Sequence, residues 1–170
     1  IDRSLVGSEM CIRDRTKSLP RVASIQNAYN LVNRGFEIGL SEVAMHEQVG
    51  LLAYSPLAQG TLTGKYLGGQ MPQGSRLALF GDGPLMMRYK GDKTQQAIEM
   101  YVNLAKKYEI DPAQLAIQFC NIQPFVTSTI IGATTMEQLK TCIDSVDLDI
   151  TKEIMNEIRG IHKEIPNPAP

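Results

Sequence analysis

Two apolar runs, separated by a helical stretch and by no tight turn, constrain this chain more than any other feature in it. Residues 22–27 read as a first strand arriving after Pro20, and residues 49–55 as a second, almost continuously apolar one. Between them, residues 39–48 place Leu40, Val43 and Ala44 on one helical face. Strands joined through a helix, with no hairpin turn, run parallel through a crossover connection. A strand that is apolar along its whole length is expected to be buried on both faces, as in a parallel sheet covered by helices.

The alternation continues. A Gly- and Pro-rich loop is expected over residues 56–92, a length that compact domains reserve for function or disorder. Ala97, Ile98, Tyr101, Val102, Ala105 and Tyr108 then recur at helical spacing over residues 93–108. Asp111-Pro112 reads as an N-cap with Pro in the first turn of a helix reaching residue 121. A third strand is expected at residues 128–132. Thr134 and Glu137 have the spacing of a capping box, opening a helix whose buried face is Leu139, Cys142, Ile143 and Val146. A last helix over residues 151–164 uses Ile154, Ile158, Ile161 and Ile165, and the Pro-containing tail 166–170 cannot extend it. The class is therefore α/β. Three parallel strands are too few to close a barrel, and the outer two would leave unpaired apolar edges.

Composition excludes several functions. With 43% hydrophobic and 21% charged residues and a formal net charge of −1, the chain has no basic excess for nucleic acid or an anionic membrane. Its apolar runs fall far short of the roughly 20 residues that span a bilayer. The three cysteines, Cys11, Cys120 and Cys142, have neither metal-ligand spacing nor a disulfide pattern, so no metal is expected and a reducing, cytoplasmic setting is the default. Residues 1–15 have no apolar period and no cap; they read as a non-native leader, expected to be disordered, with residues 16–170 as the folded unit.

Chemistry-bearing motifs are few. His46 and His162 have no catalytic partners at a telling spacing and read as ordinary surface residues. No Gly-x-Gly-x-x-Gly, P-loop, His-Glu-x-x-His or Gly-x-Ser-x-Gly pattern is present. The strand ends carry the signal instead. The second strand runs out through Tyr54-Ser55-Pro56-Leu57-Ala58-Gln59-Gly60 towards Gly64-Lys65, and the third through Gly132-Ala133-Thr134-Thr135 into a helix N-terminus. Small residues let a ligand approach the backbone, and free amides at a helix start attract an anion. A phosphate-bearing ligand is the expectation.

Four ordered segments carry a family resemblance: 24–31 (SIQNAYNL), 54–60 (YSPLAQG), 64–66 (GKY) and 132–139 (GATTMEQL). They look like the sixth, seventh and eighth strand motifs of the aldo-keto reductases, closest to bacterial reductases related to potassium-channel β subunits. The resemblance covers residues 16–170. It implies the C-terminal half of a (β/α)₈ barrel, strands six to eight with their helices, and NADP(H) as cofactor in preference to NAD(H). It implies hydride transfer to a small-molecule aldehyde or ketone; the alternative is a nucleotide-binding, non-catalytic partner or redox-sensing module like the channel subunits. By that resemblance Gln26 bonds the nicotinamide carboxamide and Tyr54 stacks on the ring. Ser55, Leu57 and Gly60 line the pyrophosphate, and Lys65 and Arg76 supply cationic contacts from the loop. Gly132, Thr134, Gln138 and Cys142 stand at the adenosine 2′-phosphate end. Cys142 replaces a frequent Asn and Ala133 a frequent basic residue, differences that favour NAD(H), with Arg76 as a compensating charge. The family's catalytic Tyr, Lys, Asp and His belong to strands and loops ahead of residue 16. No residue here is assigned to them, and the chain by itself is expected to be inactive.

Overall fold

Strands β1 (Ser24–Ala28), β2 (Gly50–Tyr54) and β3 (Val126–Thr129) lie side by side in chain order, all parallel, in the computed structural model. The structure describes residues 12, 15–18, 20–81 and 83–170, so the leader expected at 1–15 falls almost wholly outside the described residues. Helix α1 (Leu40–Glu47) makes the crossover from β1 to β2. Two short helices, α2 (Arg76–Phe80) and α3 (Pro84–Met87), break up the stretch expected to be loop. Four longer ones follow: α4 (Asp92–Lys107), α5 (Pro112–Asn121), α6 (Met136–Asp144) and α7 (Lys152–Glu164). Among the described residues, no helix is long and apolar enough to cross a membrane.

Local chemistry explains the helix starts. Asp111 accepts hydrogen bonds from the amides of Ala113 and Gln114, and Thr151 from that of Ile154. The capping box after β3 is shifted by one residue from the expected one. Thr135, not Thr134, is the N-cap and accepts from the Gln138 amide, while Gln138 Oε1, not Glu137, takes the Thr134 amide. Gln138 wins because the helix begins at Met136, which puts Gln138 rather than Glu137 at the third helical position. The third strand also sits earlier than expected, at Val126–Thr129, since Val126, Ser128 and Thr129 pair in the ladder while residues 131–133 leave it for the helix.

The second strand is not buried on both faces. Leu51 and Ala53 are fully buried, whereas Leu52 and Tyr54 are half-buried. Ser24, Gln26 and Ala28, in register with Gly50, Leu52 and Tyr54, share a face with them, on which Ala28 alone is buried. The expected apolar face of α6 is corrected for a similar reason. Only Cys142 is buried; Ile143 and Val146 are 55% and 61% exposed, because α6 meets α5 and the 3-10 turn Ser145–Asp147 on the Cys142 side alone.

The core lies between β2 and α4, α5 and α7. Tyr29 sits at its centre, stacked on Phe119 at 5.7 Å and edge-on to Phe125 at 5.3 Å. Ile154, Ile158, Ile161 and Ile165 are buried as their spacing requires. The tail, although it cannot be helical, is part of the packing. Ala169 is fully buried and its amide bonds the Val32 carbonyl; Pro168 accepts from Thr94 and Asn167 from the Arg34 amide.

One glycine is fixed by contact rather than by conformation. The β2–β3 register slips between Leu51 and Leu52, leaving Thr127 unpaired with its side chain against Gly50. A Cβ on Gly50 would lie 1.9 Å from Thr127 Oγ1 and 2.8 Å from Thr127 Cβ. Gly50→Ala is therefore expected to cost about 1–3 kcal/mol, the usual toll of overpacking. The urea midpoint measures it, and adding Thr127→Gly should recover most of the loss. A Gly50→Ala midpoint equal to wild type would contradict the slipped register.

Candidate cofactor site

At the C-terminal end of β2 the backbone turns through a run of left-handed residues. Ser55 (φ 57°), Ala58 (φ 48°), Gln59 (φ 61°), Gly60 (φ 89°) and Gly64 (φ 80°) all fall in that region. Such conformations are costly for residues with a Cβ and persist where surroundings enforce them. Here the Ala58 amide bonds the Ser55 carbonyl, Gly60 bonds Leu57, and Gln59 Nε2 donates to the Ser55 hydroxyl at 3.2 Å. A right-handed residue followed by a left-handed one makes a concavity that favours anions, and Leu57 (φ −92°, ψ 9°) and Ala58 form such a pair. Lys65 folds back over the turn: its Cε and Nζ lie 3.0 Å from where a Gly60 Cβ would stand, and Nζ lies 5.1 Å from the Tyr66 ring centroid. Gly60 is thus favoured by its φ, while the flexible end of Lys65 packs where a side chain would otherwise stand.

Of the residues singled out in the sequence, Tyr54, Ser55, Leu57, Gly60 and Lys65 come together in this one turn. Gln26 lies on the same sheet face, paired with Leu52 two residues before Tyr54, and is exposed. Arg76 opens α2 and is exposed; the helix is anchored nearby, since the Leu77 amide bonds the Tyr66 hydroxyl. Gly132, Thr134 and Gln138 form a second, exposed group where the chain leaves β3, with the Thr134 amide and hydroxyl both held by Gln138 Oε1. Cys142 is buried one turn further along α6, and burial, then the charge of Asp111, pushes its thiol up. Cys120 is buried too, and both thiols are free. Among the described residues, no cluster of His, Cys, Asp or Glu is placed to hold a metal.

Tyr29, which its position in the motif makes tempting as a proton donor, is excluded. It is fully buried, its hydroxyl donates to Glu37, and burial and then that bond push the phenol far above its ordinary value. His46 is exposed, as its sequence context implies. His162 is only half-exposed: burial, then the charge of Arg34, lowers its basicity. Two residues of this region escaped the sequence reading. Asn30 is fully buried and donates from Nδ2 to the Ser55 carbonyl at 3.0 Å, and Tyr89, 3% exposed, hydrogen-bonds the Asn30 side chain. The available signal was an Asn at residues 30 and 33, a spacing that favours side-chain-stabilised turns.

A model of the aldo/keto reductase family matches residues 8–163, beginning inside the stretch set apart at the N-terminus. The chain is 51% identical to Protein tas of Escherichia coli (strain K12) over 152 residues, 89% of this chain and 43% of that protein. It belongs to the aldo/keto reductase family. Another relative is the L-glyceraldehyde 3-phosphate reductase of Escherichia coli (strain K12), 34% identical over 72% of this chain and 36% of the enzyme. A third is the probable voltage-gated potassium channel subunit beta of Oryza sativa subsp. japonica, 35% identical over 69% of this chain and 37% of the subunit. The chain spans less than half the length of these curated relatives. Membership in the family implies an oxidoreductase and a (β/α)₈ barrel, with which a three-stranded parallel sheet and its helices are consistent as part of the whole.

Proposed function

We propose that this chain is the cofactor-binding part of an NADP(H)-dependent reductase that converts aldehydes or ketones to alcohols. The observation that carries the reading is the turn after β2, where a lysine ammonium rests on a left-handed backbone run at the C-terminal edge of a parallel sheet. In barrels of this class that edge is where ligands bind. The bound nucleotide would supply the hydride. Tyr54, half-buried at the strand end, offers a ring face for the nicotinamide, and Gln26 on the same sheet face offers its amide. Ser55, Leu57 and Gly60 form the wall for the pyrophosphate, with Lys65 neutralising charge. Arg76 and the Gly132, Thr134 and Gln138 group, above buried Cys142, serve the adenosine end and its 2′-phosphate. The Tyr, Lys, Asp and His that complete carbonyl reduction are assigned to the rest of the barrel, and free buried thiols suit a reducing cytoplasm. The substrate class is a small carbonyl compound.

Titration of the chain into NADPH and NADH, read by the nucleotide's own fluorescence, tests the proposal. NADPH is expected to bind more tightly than NADH, and Lys65→Ala to weaken NADPH about tenfold, or about 1.4 kcal/mol. Absence of saturable binding would sink it. The relatives named as channel subunits favour a second reading, a nucleotide-binding partner module. A full-length protein that binds NADPH but turns over no simple aldehyde would select it.

A further inference from the structure

We infer that Asn30 is a positioning residue for the nucleotide turn: through its buried side-chain amide it holds the Ser55 carbonyl, and with it the left-handed run that carries Leu57, Gly60 and Lys65. The inference rests on the cofactor reading of that turn.

Asn30 follows β1 and is fully buried, an unusual place for an amide unless its polar atoms are used. They are used. Oδ1 accepts from the Val32 amide at 3.0 Å and Nδ2 donates to the Ser55 carbonyl at 3.0 Å, while the Asn30 and Asn33 backbones exchange bonds at 3.0 and 3.1 Å. The residue's own backbone is thereby fixed before its side chain reaches across to β2. A second link, from the Tyr29 amide to the Tyr54 carbonyl at 3.3 Å, joins the same two strand exits one residue earlier. Ser55 is where β2 ends and the first positive φ occurs, so the peptide leaving it sets the direction of everything up to Lys65. A carbonyl held from inside the fold fixes the orientation of the Ser55–Pro56 peptide, and the proline ring fixes the φ that follows it. The buried Tyr89, delivered by the segment between α3 and α4, hydrogen-bonds the Asn30 side chain. The same amide thus stands between the turn and the segment that follows it. Asn30 acts through Ser55.

Asn30→Asp keeps the shape and the acceptor but loses both N–H donors, and regains one donor when its carboxyl is protonated. NADP⁺, which tolerates acid, is the probe. At about pH 8 the variant is expected to bind NADP⁺ at least about tenfold more weakly than wild type. The gap should shrink towards about pH 5 as the carboxyl, raised above its ordinary range by burial, takes up its proton. A purely structural role would give no such pH-dependent recovery of affinity relative to wild type. Equal affinities at both pH values overturn the inference. If wild type itself fails to bind NADP⁺, the cofactor reading falls, and hydrogen exchange decides what remains. Amides of residues 57–62 exchanging at least about tenfold faster in Asn30→Asp, with α4 and α5 unchanged, uphold the positioning role, and unchanged exchange removes it. Should the variant not fold, the wild-type Asn30 side-chain amide serves: its protons are expected to exchange slowly, and fast exchange refutes the bond to Ser55.

Discussion

Replacing Glu37 with Ala is expected to destabilise the fold by about 3–5 kcal/mol, the range for removing one partner of a buried ion pair. Arg34 grips Glu37 with two bonds, Nε to Oε1 and Nη2 to Oε2, each at 2.7 Å, and its side chain is only 12% exposed. The guanidinium also lies 5.3 Å from the Phe119 ring centroid, and the Tyr29 hydroxyl donates to the same carboxylate. Without Glu37, a buried cation and a buried phenol lose their partner together. Because the Glu37 side chain keeps 28% exposure, water can reach part of the gap, and the lower end of the range is expected. Acid should produce a milder version. Burial alone would raise the Glu37 carboxyl, but the bonds from Arg34 and Tyr29, with the charge of Arg34, outweigh it and hold the group below 4.5. A depressed acid contributes stability that is complete above its unfolded value and is lost as pH falls through the folded one. His162 acts in the same direction. Its folded basicity lies below 6.5, so the unfolded chain takes up the proton first and stability declines below that point. Wild-type urea midpoints should be flat between about pH 7 and pH 8, slope gently down to about pH 5 and fall steeply below it. Glu37→Gln should lose much of the steep limb. A midpoint for Glu37→Ala within error of wild type would show that the carboxylate is not holding the loop.

Phe119→Ala is expected to cost about 3–5 kcal/mol by emptying the centre of the core. Phe119 is fully buried on α5 and joins two layers, stacked on Tyr29 from the β1 exit with an interplanar angle of 16° and lying under Arg34 from the next turn. For a fold of this size, each kcal/mol moves the thermal midpoint by about 2–4 °C, so a drop of roughly 10 °C is the readout. Phe119→Leu, which keeps most of the volume but not the ring face, should lose clearly less. Equal losses for the two would assign the energy to ring contacts rather than to volume. The effects of Phe119→Ala and Glu37→Ala should fall short of additive, since both act on Arg34.

Local patterns read correctly where one element decides its own fate. The α4 and α7 faces, the Asp111 cap and the parallel crossover through α1 follow from spacing and cap chemistry alone. Reading failed where burial depends on what lies beyond the element. Leu52 and Ile143 carry the same apolar signal as Leu51 and Cys142, yet only the latter two meet a packed neighbour. The capping box slipped because Thr134 and Thr135 are both competent caps, with Glu137 and Gln138 both competent partners. The site was partly legible. Tyr54 to Lys65 are close in sequence and a short turn brings them together, whereas the tie from Asn30 to Ser55 spans 25 positions and has no local signature. Nor does composition reveal that residues 167–169, after a proline, would be tucked into the packing.

Those last residues have a consequence for how the molecule is made. Asn167 caps the Arg34 amide across 133 positions of chain, and Ala169 bonds Val32 beside it. At about 5–20 residues per second, a ribosome needs roughly 7–27 s to deliver the second partner after the first. Late in that interval, once Phe119 has been made, the exit of β1 has Phe119 and Glu37 to pack with, but not its final fastening. Helix α4 likewise waits for Pro168 to reach Thr94. The nascent chain therefore passes through a stage in which nearly every element is present and the layer is still unlatched, a window in which chaperones and proteases compete for it.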